Sequence, residues 1–304
     1  MSADFLQGMA QTSRERCEAA RTATPESTLL EIISQSRPPP ALRLQDGFDL
    51  IAEMKLRSPA VGQLKAAADN DIGGRVMAYA QGGAAAVSVL TEPSRFDGHL
   101  EHLASASWVL QPMGVPAMRK DFLVDPYQVL EARAYGAGGV LIIINMLSRA
   151  QLDELCAAAR EQGLFTLLEA FDEADIEVAH ELVAAWRPGA TANAPPVTPA
   201  PPMNNPGPGA TASVPPVLVG INSRDLRTLK VVPGRLEPLA RLLPADFPRV
   251  AESGVGSPED AARMARAGYD LALVGSALMT GGDPKTLARD MIQAARAAKA
   301  GAHG

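Results

Sequence analysis

Eight short apolar runs recur along the chain: DLIAEMK (49–55), AAVSVLTE (85–92), PAMRKDF (116–122), GVLIIIN (139–145), FTLLEA (165–170), VLVGIN (217–222), PRVAESG (248–254) and LALVGSA (271–277). Runs that are continuously apolar, not alternating, predict strands buried on both faces, as in a parallel sheet covered by helices. Segments such as YQVLEARAYGAGG and SPEDAARMARAGYD separate them, with apolar residues at helical spacing and a glycine near the end. Eight strand–helix units within roughly 230 residues predict a closed (β/α)8 TIM barrel over an open doubly wound sheet. No glycine-rich dinucleotide fingerprint follows the first run, which weakens the open sheet further.

A chain of 304 residues could hold one domain or two, and proline decides between them. Ten of the 25 prolines fall between Pro188 and Pro216, a stretch without one charged residue. Its words nearly repeat, GATANAPPV at 189–197 returning as GATASVPPV at 209–217, so it reads as a flexible low-complexity insertion between the fifth helix and the sixth strand. The expected organisation is a helical extension over 1–48, then one barrel over 49–304 interrupted by the insertion at 188–216. In the extension two helices are expected, near 3–22 and 25–36, with Thr24 capping the second and Pro25 in its first turn.

A net charge of −6 offers no global field for nucleic acid or anionic membrane, so any anionic ligand must meet local cations. Cys17 and Cys156 make no disulfide framework, and no Cys/His group has zinc-ligand spacing, so neither metal nor cofactor is expected. The N-terminal residues lack the apolar core of a signal peptide, and no apolar run approaches the roughly 18 residues of a membrane span, which makes the cytoplasm the expected location.

Charged residues interrupt the apolar runs at their C-terminal ends, where a barrel opens its active-site mouth. Glu53 and Lys55 stand two residues apart and share one face of the first strand. The third run ends in Arg119, Lys120 and Asp121, the fifth in Glu169, the sixth in Asn222 followed by Arg224, and the seventh in Glu252 and Ser253. Buried charges cost several kcal/mol unless paired or used, so five such strand ends together indicate one polar site. Arg119 and Asp121 differ in strand parity from Lys120 and read as a structural pair. Lysines and glutamates in one pocket suit acid/base chemistry at carbon and oxygen. Small residues after the last two strands, Ser253 and Gly254, then Gly275 and Ser276, suit backbone binding of a phosphate. His99 and His102 read as a surface helix pair, and Trp108 and Trp186 as packing residues.

The wording of these segments resembles the indole-3-glycerol phosphate synthase family: IAEMKLRSPAVG, VSVLTEPSRFDG, RKDFLVDPYQVLEARAYGAGGVLIIIN, LLEAFDE, GINSRDLRTL, VAESGV and GSALM occur in consistent order from about residue 49 to 283. The resemblance implies decarboxylating, dehydrating ring closure of 1-(2-carboxyphenylamino)-1-deoxyribulose 5-phosphate, without a cofactor, by a monomer or weak homo-oligomer. By motif it implies Lys120 as general acid, Lys55 holding the substrate carboxylate, Glu169 as the final base and Glu53 tuning the lysines; which lysine serves which step stays open. Asn222 and Glu252 would position the intermediate, and Arg224 and Ser58 would contact the anthranilate end. Phe96 and Leu141 would wall the aromatic pocket, and Gly254, Gly275 and Ser276, with Ser253 beside them, would hold the phosphate. One departure concerns the first loop, where the family pattern S-P-S-[KR]-G is Ser58-Pro59-Ala60-Val61-Gly62 here, without the second hydroxyl and the cation.

Overall fold

The structure, a computed structural model, describes residues 2–58, 62–63, 71–184, 216–225 and 228–301. Each apolar run holds one strand: β1 (Asp49–Met54), β2 (Ala86–Leu90), β3 (Ala117–Lys120), β4 (Gly139–Ile143), β5 (Phe165–Ala170), β6 (Val217–Asn222), β7 (Arg249–Glu252) and β8 (Leu271–Val274). All pair in parallel with their sequence neighbours, and β1 also pairs with β8, which closes the barrel. A parallel closed sheet leaves no free edge, and its crossovers must be helical.

Two helices, α1 (Ser2–Ala23) and α2 (Glu26–Gln35), precede β1. The crossovers are α3 (Ile72–Gln81) after β1, α4 (Pro93–Phe96) and α5 (Leu100–Leu110) after β2, α6 (Pro126–Ala134) after β3 and α7 (Arg149–Glu161) after β4. Then follow α8 (Glu173–Ala184) after β5, α9 (Leu236–Ala240) after β6, α10 (Pro258–Ala267) after β7, and α11 (Ser276–Thr280) and α12 (Pro284–Ala300) after β8. Their starts are written locally: Asp71, Asp125, Ser148, Ser257 and Asp283 each accept a backbone N–H at a helix N-terminus, and proline stands in the first turn of α6, α10 and α12.

Alternation along the strands sorts the apolar residues into two shells. Ile51, Met118, Leu141, Leu167, Leu218, Val250 and Leu271 fill the barrel interior. Leu50, Ala52, Val87, Val140, Leu168, Val219 and Ala272 point outward and pack with helix residues such as Val76, Leu103, Leu155 and Met291. Both faces of every strand are therefore buried, which is why the runs are continuously apolar in sequence.

Two expectations need correction. Thr24 does not cap α2: Pro25 occupies the cap in an extended conformation with no side-chain bond, while the Thr24 carbonyl accepts the Tyr127 hydroxyl. Trp108 is not a packing residue but 82% exposed on α5, because Leu103, Ala106 and Leu110 already fill the inward face. Trp186 and nearly all of the proline-rich stretch lie outside the described residues; α8 ends at Ala184 before it and β6 begins at Val217 after it. Among the described residues no helix is long and apolar enough to cross a membrane.

Candidate active site

The inward alternation that fills the lower barrel with leucine and isoleucine reaches its last turn at charged residues. Glu53, Lys120, Glu169, Asn222 and Glu252 stand at or next to the C-terminal ends of their strands, and all face one cavity of about 540 Å³. Lys55, Phe96, Leu141, Arg224, Ser253, Gly254, Gly275 and Ser276 line the same cavity. Ser58 belongs to a short antiparallel hairpin of Arg57–Ser58 with Gly62–Gln63, and its side chain lies outside the described residues, as do Ala60 and Val61.

Two ion-pair clusters divide the floor. Lys120 Nζ lies 3.1 Å from Glu169 Oε2 and 3.3 Å from Glu252 Oε2, with the lysine side chain only 14% exposed. Burial pulls the ammonium toward deprotonation, but the carboxylates of Glu169, Glu252 and Glu53 outweigh it and hold it well above the ordinary lysine range. The same crowding acts oppositely on Glu252, where burial and the neighbouring Glu169 carboxylate push its carboxyl well above the usual range. The second cluster is Glu53 with Lys55, whose Nζ is 2.5 Å from Glu53 Oε1; burial of Glu53 is outweighed by Lys55 and Lys120, so its carboxyl sits below the usual range.

Glycines make room for both clusters. A Cβ at position 220 would collide with Glu252 Oε1, and one at 275 with Glu53 Oε1 and, at 2.9 Å, with Lys55 Nζ. Glu252 Oε1 itself is buried without a hydrogen-bond partner. Gly275 therefore shapes the acid/base floor in addition to forming the loop after β8. After β7 the backbone is left-handed at both Ser253 (φ 65°) and Gly254 (φ 79°), a strained form for serine, held by the Ser223 hydroxyl donating to the Ser253 carbonyl at 3.1 Å. This turn and the Gly275–Ser276 turn border the cavity on one side.

The opposite side is apolar and aromatic. Phe122 packs edge-on with Phe5 at 6.1 Å and tilted with Phe96 at 6.3 Å between ring centroids, and Leu141, Ile143 and Phe171 continue the wall. Phe122 and Phe171 stand two residues beyond Lys120 and Glu169, so strand parity carries a signal for them that sequence reasoning missed. Phe5 and Leu6 come from α1, more than 100 residues away in sequence, and nothing local announces them.

Arg119 and Asp121 form the structural pair that their parity implies. Arg119 contacts Asp121 and Glu131 at 3.1 Å each, and Asp121 also accepts from both terminal guanidinium nitrogens of Arg16, the Thr91 hydroxyl and the Phe122 N–H. Burial opposes its charge, but Arg119 and Arg16 hold the carboxyl far below the usual range. The network ties α1 to the segment that carries Lys120. Asn222 Oδ1 accepts the Arg224 N–H at 3.0 Å, leaving the amide nitrogen as the donor available to a ligand. Among the described residues no group of three or more His, Cys, Asp or Glu is arranged to hold a metal, and the His99 and His102 rings simply pack edge-on.

The barrel is similar to thiamine phosphate pyrophosphorylase from Pyrococcus furiosus (TM-score 0.54, 15% identity, 83% of this chain and 96% of that one). It is also similar to 3-hexulose-6-phosphate synthase from Salmonella typhimurium (TM-score 0.53, 14% identity, 82% and 98%), a likeness of fold. In sequence the chain is 38% identical to indole-3-glycerol phosphate synthase from a Nocardioides species, over 95% of this chain and 96% of that protein. It is 38% identical to indole-3-glycerol phosphate synthase 1 of Streptomyces coelicolor, over 82% and 79%. The family profile described as indole-3-glycerol phosphate synthase matches residues 7–186 and 210–291, passing over most of the proline-rich stretch and taking in every residue that faces the cavity except Phe5 and Leu6. The chain belongs to the indole-3-glycerol phosphate synthase family.

Proposed function

We propose that this protein closes the indole ring of indole-3-glycerol phosphate from 1-(2-carboxyphenylamino)-1-deoxyribulose 5-phosphate, releasing carbon dioxide and water. The observation that carries the reading is the position of Lys120, a buried ammonium held protonated between Glu169 and Glu252 and facing an aromatic wall. The aromatic part of the substrate lies along Phe96, Phe122 and Leu141, with its carboxylate toward Lys55, Arg224 and Ser58. As the ring carbon bearing the carboxylate attacks the ribulose carbonyl, Lys120 gives a proton to the developing alkoxide. Loss of carbon dioxide returns the bonding electrons to the ring. The new hydroxyl then leaves as water with a proton from Lys55, and Glu169 removes the last proton, which completes the indole.

Glu53 holds Lys55 in place through their ion pair, and Asn222 and Glu252 hold the intermediate through its hydroxyl groups. Backbone groups of Gly254, Gly275 and Ser276, beside Ser253, take the phosphate. The chemistry needs proton transfers and anion binding, which this cluster of lysines and glutamates supplies by itself. The reading includes a cytoplasmic enzyme, acting as a monomer or weak homo-oligomer on a small phosphorylated substrate and on neither nucleic acid nor membrane, in line with its acidic charge.

The test is to add the carboxyphenylamino-deoxyribulose phosphate to the purified protein and follow indole fluorescence. Turnover is expected; a folded protein that gives no signal overturns the assignment.

A further inference from the structure

We infer that Lys230 is a substrate-binding residue of this protein, the cation that meets the phosphate at the cavity rim; the inference rests on the synthase reading above. Among the described residues four cations line the cavity: Lys55, Lys120, Arg224 and Lys230. Three are committed within the protein. Lys55 is paired with Glu53, Lys120 lies between two glutamates, and Arg224 donates Nη1 to the Leu229 carbonyl. Five carboxylates line the same space, namely Glu53, Asp121, Glu169, Glu252 and Asp260. Much of the lining positive charge is therefore already met within the protein, while a substrate with a phosphate and a carboxylate brings two to three negative charges. The Lys230 ammonium is the lining cation with no hydrogen bond or ion pair among the described residues.

Its backbone is fixed where a phosphate cation is needed. The Asp225 N–H donates to the Lys230 carbonyl at 2.8 Å, and the Lys230 N–H donates to Thr228 Oγ1 at 3.3 Å. The next residue, Val231, pairs with Arg224 and lies 3.0 Å from where a Cβ on Gly254 would stand. Lys230 thus lines the cavity one residue before Val231, which packs against the left-handed Ser253–Gly254 turn. A flexible rim ammonium acts mainly on capture of the anion and on its salt dependence, and much less on the chemical step.

The experiment compares wild type with Lys230→Gln, Lys230→Arg and Lys230→Glu in steady-state turnover, and measures binding of inorganic phosphate to each by calorimetry. Lys230→Gln is expected to raise KM about tenfold and to lower kcat much less, the effect of losing one charged contact. Lys230→Arg should restore KM, Lys230→Glu should raise it further, and the fall of kcat/KM with added salt should be shallower in Lys230→Gln. Phosphate affinity should drop in parallel. If wild type turns over and Lys230→Gln keeps KM and phosphate affinity within about twofold, the Lys230 inference fails and the synthase reading stands. If wild type is inactive, the synthase reading fails, and equal phosphate binding by wild type and Lys230→Gln then overturns the Lys230 role as well.

Discussion

Lys120 keeps its proton because two carboxylates face it where it is only 14% exposed, as the general acid of the proposed reaction requires. Replacing it by methionine preserves volume and removes the proton: Lys120→Met should lower kcat at least about 100-fold with an unchanged far-ultraviolet circular dichroism spectrum. A non-catalytic barrel would tolerate the change. Asp175 makes a different point. Its carboxylate accepts the Phe171 N–H at 2.8 Å, yet burial, with Asp172 and Glu169 nearby, pushes its pKa up to about 6. A carboxyl raised in the fold holds its proton more tightly folded than unfolded, so it lowers stability as pH rises from about 4 to about 6, and the loss is constant above that. Asp175→Asn keeps an acceptor for Phe171 and removes the charge. It should match wild type near pH 4 and be more stable by about 1 kcal/mol at pH 7, a figure reduced for solvent screening, as read from thermal unfolding at the two pH values.

At the scale of elements, strands supply the proposed reacting groups and glycines next to them supply their space. Gly220 on β6 is flat against the Glu252 carboxylate of β7, and a methyl group there has no room. Gly220→Ala should lower kcat by up to about 100-fold through displacement of Glu252 and Lys120, with a stability loss of about 1–3 kcal/mol, separable by kinetics and chemical denaturation. The α1 helix shows why an extension belongs to the site. It delivers Phe5 and Leu6 to the cavity wall and, through Arg16 and Asp121, fixes the segment beyond Lys120. Strand positions and the parity of Glu53, Lys55 and Lys120 were legible because each depends on residues a few positions apart, whereas Thr24 does not cap α2 as its local sequence suggests. The contacts of Arg16 with Asp121 and of Phe5 with Phe122 were not, since they join residues more than 100 positions apart and no spacing rule reaches that far.

For the whole molecule, the proline-rich stretch tests how independent the two ends of the barrel are. It leaves from the end of α8 and returns at the start of β6, at the end of the barrel opposite the mouth where Lys120 and Glu169 stand. Deleting residues 189–208 should leave turnover within about threefold, since loop length enters stability only logarithmically and the described residues on either side, Ala184 and Val217, lie away from the cavity mouth. A collapse of activity in a folded deletion variant would show that the segment reaches the site. The sequence by itself determined the eight-strand barrel, the family and the strand ends that carry charge, because apolar continuity, local caps and motif order are properties of neighbouring residues. Beyond the Arg119–Asp121 pair that strand parity announced, tertiary structure alone decided which charges pair and which stay open: Lys120 committed to two glutamates, Arg16 to Asp121, and Lys230 left facing the cavity. The physical reason is that electrostatic pairing and burial depend on distances across the closed barrel, and those exist only once all eight strands are in register.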